Sequence, residues 1–136
     1  MKSRGLRNNN PLNIRHNEDV FQGEINGNDK SFKTFSSLPY GYRAAFVILG
    51  TYLSRGLNTI EKIITKWAPP AENDTESYID KVEKWSGVSR NKELTARNGS
   101  EYIMIVAAMS FVENGQNADI SAVQAGFNLQ TKIKIQ

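Results

Sequence analysis

Glu101-Tyr102-Ile103-Met104-Ile105-Val106-Ala107-Ala108-Met109-Ser110-Phe111-Val112-Glu113-Asn114-Gly115 is the stretch whose reading decides the fold. Its apolar residues do not keep to one stripe. A helix over about residues 100–112 is therefore apolar almost all round, and such a helix belongs at the buried centre of a domain. It falls well short of the roughly 20 apolar residues a membrane span needs, as does the apolar run over 44–49.

Three more helices precede it. Ala44, Val47, Ile48 and Tyr52 recur at helical spacing and stop near Arg55-Gly56, where glycine supplies a left-handed end. Thr59 caps a second helix carrying Ile60, Ile63, Ile64 and Trp67, which Pro69-Pro70 terminates. Asn73-Asp74-Thr75-Glu76 opens a third, with Tyr78, Ile79, Val82 and Trp85 on one face before Gly87. The N-terminal third differs. Residues 8–28 are dense in Asn and Gly and read as short strands and turns, and Ser31-Phe32-Lys33-Thr34-Phe35 alternates like a half-buried strand with Phe32 and Lys33 on opposite faces. The expected class is α+β, mainly α, with a small N-terminal β-hairpin region and about five helices in one domain, residues 1–136.

Composition narrows the chemistry. The 136 residues are 39% hydrophobic, enough for a core, and carry a net charge of +3 without the Lys/Arg clusters of a dedicated nucleic-acid binder. Cysteine is absent and His16 is the single histidine, so thiolate sites, His-rich metal sites and a Ser-His-Asp site are not expected. We expect no metal and no cofactor. The polar start Met1-Lys2-Ser3-Arg4 lacks the apolar segment of a signal peptide, so cytoplasmic synthesis is expected.

Carboxylates and carboxamides remain. Glu113 would sit at the negative end of the central helix dipole beside apolar neighbours, and both effects favour its protonated form, as a general acid requires. On spacing alone a simpler account stands beside this one: Glu113 is the first solvated residue after a core helix, with Asn114-Gly115 as its C-cap. Asn8-Asn9-Asn10-Pro11-Leu12-Asn13-Ile14-Arg15 offers carboxamides able to read sugar hydroxyls and acetamido groups, or to build turns. Trp67-Ala68-Pro69-Pro70-Ala71-Glu72-Asn73-Asp74-Thr75 bridges two helices. Glu72 there is a second carboxylate or an exposed linker residue, and Trp67 and Tyr78 are sugar-stacking rings or core. Arg43, placed in the first turn of its helix, opposes the dipole and calls for a partner carboxylate or a ligand anion.

These blocks in this order resemble a family of phage virion proteins assigned to the lysozyme superfamily. The matching segments are Arg4-Gly5-Leu6-Arg7-Asn8-Asn9-Asn10-Pro11-Leu12-Asn13-Ile14-Arg15, Phe21-Gln22-Gly23, residues 32–44, residues 63–78 through Trp-Ala-Pro-Pro-x-Glu-Asn-Asp-Thr, and Glu113-Asn114-Gly115. The family usually has Gly at Leu12 and Trp at Phe21, and often an Arg-His pair before Glu-Asn-Gly, where this chain has Ser110-Phe111-Val112. A weaker resemblance, to flagellar-type peptidoglycan glucosaminidases, has the same elements with the Glu-bearing helix first. It implies a circularly permuted lysozyme-like domain.

The resemblance implies cleavage of β-1,4 glycosidic bonds in peptidoglycan, of muramidase, lytic transglycosylase or glucosaminidase type. Glu113 would be the general acid and Glu24 the preferred second carboxylate, ahead of Glu72, with Asp19 and Glu18 after them. Asn10, Asn13, Gln22, Glu72, Asn73 and Tyr78 would contact the glycan strand. Other virion proteins are implied partners, with no specific nucleic acid, and the wall would be met from a virion or at lysis. A non-catalytic virion or wall-binding protein retaining the fold is the alternative, and a basic DNA-packaging or tail scaffold a more distant one.

Overall fold

A computed structural model describes residues 2–95 and 99–135, with side chains through residue 130. In chain order its elements are α1 (Arg4–Arg7), β1 (Glu24–Ile25), β2 (Thr34–Phe35), α2 (Leu38–Ser54), α3 (Ile60–Trp67), α4 (Thr75–Ser86), α5 (Gly99–Asn114) and α6 (Ile120–Ile135). Helices dominate the described residues, with one two-stranded antiparallel sheet, so the class is α+β, mainly α. No helix among the described residues is long and apolar enough to cross a membrane.

Local chemistry sets most boundaries. Thr59 and Asp74 cap α3 and α4, accepting from the amides of Lys62 and Ser77 at 3.2 and 3.1 Å. Gly87 ends α4 in the left-handed region at φ +73°. Helix α2 begins at Leu38, with Pro39 inside its first turn, where the missing amide hydrogen costs nothing. Arg43 consequently lies in the second turn instead of the first. Its Nε is buried with no hydrogen-bond partner among the described residues.

α6 packs chiefly on α2, and α4 on α5. The main core joins Tyr42, Phe46 and Leu49 of α2 to Ile60, Ile63 and Ile64 of α3, Ile79 and Val82 of α4, Ile105, Val106 and Met109 of α5 and Val123 of α6. A smaller cluster of Ile14, Phe35 and Ala44 ties the N-terminal segment to α2, and Trp67 packs against both. The glycine of α6, Gly126, marks the α2–α6 crossing. A Cβ there would stand 2.6 Å from Tyr42 Cβ and 2.8 Å from both Arg43 N and Pro39 O.

Several sequence expectations change. α5 is not enclosed all round: Ile105, Val106 and Met109 are fully buried, but Met104 is 41% exposed, and it lines a groove with Trp85 and Ile120. Trp85, expected on the buried face of α4, is 49% exposed and lies against the Phe111 ring at 4.5 Å. Lys33 points inward and is 1% exposed, whereas Phe32 lies under the guanidinium groups of Arg4 and Arg15 at 4.5 and 5.1 Å. The two residues take opposite faces, as expected, and the buried one is the lysine because Glu24 and Asp19 meet all its donors: Nζ donates to both Glu24 carboxylate oxygens at 3.0 Å and to the Asp19 carbonyl at 2.8 Å. Helices α1 and α6 are additions to the four helices located in the sequence.

Candidate active site

The site grows from the Asn-rich loop after α1. Ser3 caps α1 and also donates to Asn114 Oδ1 at 2.6 Å, fixing the start of the chain on the end of α5. Asn9 and Asn13 take left-handed backbone, φ +51° and +53°, which asparagine accepts more readily than most residues. Between them Asn10 is fully buried. Its amide donates to the carbonyls of Ile14 and Lys33 at 2.9 and 2.8 Å, and its Oδ1 accepts from Ile14 N at 2.9 Å, so it buckles the loop shut. Gly5 is required by the same packing, because a Cβ would meet Asn114 Oδ1 at 2.7 Å and Asn10 O and Asn13 Oδ1 at 2.9 Å.

The loop delivers Asn13 to Glu113. Asn13 Nδ2 donates to Glu113 Oε1 at 2.8 Å, and Tyr78 OH, from α4, donates to Oε2 at 2.9 Å. Burial pushes the Glu113 carboxyl above the usual carboxylate range, while the donors Asn13, Tyr78 and Trp67 and the charge of Arg15 pull it partly back. Burial, reinforced by the Glu113 charge and hydrogen bond, raises Tyr78 well above the ordinary phenol range, so it keeps its proton and serves as a donor. Asn13 Oδ1 is buried and has no hydrogen-bond partner among the described residues. Next to Glu113, Asn114 Nδ2 donates to the carbonyls of Pro11 and Ser110, both at 2.8 Å. Adjacent residues thus hold the carboxyl and clasp the loop.

Beside this group opens a cleft of about 600 Å³. Asn13 and Trp67, both neighbours of Glu113, are in its lining, together with Phe21, Tyr52, Arg15 and Asp19. A shielded, protonatable carboxyl beside an aromatic, amide-bearing cleft is equipped to donate a proton to a leaving oxygen.

No protein-family model matches the chain. It is 44% identical over 120 residues to Protein P5 of Pseudoalteromonas phage PM2, an alignment covering 85% of this chain and 73% of that protein. The chain belongs to the P5 family.

In this P5-family chain none of the remaining expected site residues hydrogen-bonds to Glu113 among the described residues. Glu24 is committed to Lys33 and also accepts from Phe21 N at 3.1 Å, so its carboxylate balances a buried cation and does not line the cleft. Asn10 is inside the loop. Gln22 is exposed on the turn before β1. Glu72 and Asn73 are exposed on the turn after Pro69-Pro70, where Asn73 Nδ2 donates to the Pro69 carbonyl at 3.2 Å. Asp19, ranked low from the sequence, is the carboxylate in the cleft lining. Sequence reasoning missed Arg15, Arg55 and Tyr52 as cleft residues, and Trp67, read as a sugar-stacking ring or core, packs on both clusters and also faces the cleft. Among the described residues no group of three or more His, Asp or Glu gathers as a metal site would need.

Proposed function

We propose that this chain is a lysozyme-like peptidoglycan hydrolase, circularly permuted, with Glu113 as its general acid. One observation carries the reading: a partly buried carboxyl with a raised pKa, held at both oxygens by Asn13 and Tyr78, adjoins an aromatic cleft through Asn13 and Trp67. Glu113 passes its proton to the glycosidic oxygen as the bond from the anomeric carbon breaks. The oxocarbenium-like centre is then supported by the substrate's own acetamido oxygen or by Asp19, since Glu24 is held by Lys33. Addition of water gives a reducing end; capture by the sugar's own 6-hydroxyl gives an anhydro end. A virion or lysis would bring the protein to the wall, and other virion proteins are its proposed partners.

The test is clearing of purified cell wall by wild type and Glu113→Gln, followed by mass spectrometry of the fragments. Clearing by wild type and loss of at least a hundredfold in the variant is expected; equal clearing by both excludes the role of Glu113. The fragment ends separate the hydrolytic and transglycosylase outcomes.

A second reading draws on the same contacts. Glu113 and Asn114 fasten the N-terminal loop to α5, which a non-catalytic virion or wall-binding protein would need equally. Its signature is binding to wall without clearing by wild type, with Glu113→Gln altering only stability.

A further inference from the structure

The charges in the cleft are unbalanced. Arg15 and Arg55 line it against the single carboxylate of Asp19. Two other guanidinium groups are neutralised: Arg4 grips Asp29 through two nitrogens at 2.7 and 2.8 Å, and Arg90 meets Glu61, Glu76 and Asp80. Arg15 and Arg55, like Arg7 and Arg43, make no ion pair among the described residues.

Arg15 is nevertheless fixed in place. It forms the isolated bridge to Phe32 and lays its guanidinium on that ring. Arg55 closes the end of α2, its amide bonded to the Tyr52 carbonyl at 2.9 Å. The two arrive from the two segments that wall the cleft, the loop after Asn13 and the last turns of α2. Between them the aromatic rings suit the apolar faces of a sugar, and the amides of Asn13 and Asn17 suit hydroxyl and acetamido groups. Both arginines are exposed at the cleft, where they outnumber the Asp19 carboxylate, and the Arg15 charge reaches as far as Glu113. A ligand anion would complement them, because arginine matches the paired oxygens of a carboxylate or phosphate.

We propose that Arg15 and Arg55 read a carboxylate on the glycan, making the cleft selective for strands of sugar acids over neutral N-acetylglucosamine polymers. The inference rests on the glycan reading above and deepens it by naming the substrate class. In peptidoglycan that carboxylate is the lactyl group of muramic acid residues that carry no peptide.

The test uses the full chain carrying Glu113→Gln, so that ligands are not turned over. Three probes are titrated while the arginine Nε–H signals are followed by NMR: a tetrasaccharide of alternating N-acetylglucosamine and N-acetylmuramic acid, the same compound with its carboxylates converted to amides, and inorganic phosphate. The free acid should bind at least tenfold more tightly than the amide and shift the Arg15 and Arg55 signals; Arg15→Gln with Arg55→Gln should abolish that preference. Equal affinity for acid and amide, or a preference that survives the double substitution, overturns the proposal. Phosphate shifting both signals with no acid-over-amide preference overturns it in favour of a phosphate site. The wall-clearing assay separates the two levels: clearing without acid preference removes only the carboxylate subsite, whereas no clearing and no binding of either tetrasaccharide removes the glycosidase reading with it.

Discussion

At the scale of single residues, Glu113 and Lys33 are two ionisable groups drawn out of water and treated differently. Glu113 is offered neutral donors, Asn13 and Tyr78, and its burial raises its pKa; Lys33 is given the Glu24 carboxylate at 3.0 Å. The sign of the pH effect follows. A carboxyl whose folded pKa exceeds its unfolded value stabilises the fold below the unfolded value, about 4.3, and that stabilisation is lost as pH rises through the folded value. Glu113→Gln, which cannot ionise, should therefore gain thermal stability relative to wild type between pH 4 and pH 8. Melting curves of both proteins across that range check it, and a constant difference would mean that burial does not hold the proton. For Lys33 the cost lies in breaking the pair. Lys33→Ala should destabilise by about 3–5 kcal/mol, while Lys33→Met combined with Glu24→Gln should recover most of the loss, as read by urea unfolding. The double variant also bears on mechanism: if Glu24 balances charge and takes no part in catalysis, wall clearing should survive wherever the protein is folded.

At the scale of elements, α2 to α5 were legible because their signals are local: caps at Thr59 and Asp74, stops at Gly56 and Gly87, and apolar spacing within each helix. What was not legible depends on partners distant in sequence. The alternation separates Lys33 from Phe32, but that the lysine side is the buried one shows only once Glu24 is seen beside it. Helix α1 has only four residues and depends on Asn114, far along the chain, for its anchorage. Helix α6 contains Gly126, which reads locally as a breaker and in fact permits close approach to α2. Two glycine substitutions separate these meanings. Gly126→Ala drives a Cβ into Tyr42 and the α2 backbone, and should cost about 1–3 kcal/mol or more. Gly50→Ala, in the exposed middle of α2 with nothing within 4 Å of the new methyl, should stabilise by about 0.5–1 kcal/mol. Chemical denaturation of both variants reads the contrast, and similar shifts would deny that the α2–α6 crossing needs a glycine.

At the scale of the whole molecule, the candidate site is a joint between the two ends of the chain. Its general-acid candidate was legible from the apolar helix and its Glu-Asn-Gly end, but its holders were not: Asn13 is 100 residues from Glu113, and Ser3 is 111 from Asn114. Only folding tells which carboxamides bond to the carboxyl and which close the loop. The joint is therefore open to disruption without touching the carboxyl. Asn114→Ala removes donors to Pro11 and Ser110 and the acceptor of Ser3, leaving the Pro11 carbonyl and Ser3 hydroxyl to find water. The expected cost is about 1–3 kcal/mol, concentrated in the loop over residues 8–14. Hydrogen exchange should then quicken at the amides of Asn10, Asn13 and Ile14, while those of α3 and α4, whose bonds lie in the core, keep wild-type protection. Wall clearing should fall with loop protection although Glu113 remains. Uniform loss of protection across α3 and α4 would instead make Asn114 a determinant of global stability, and the loop would no longer be a separately fastened part of the site.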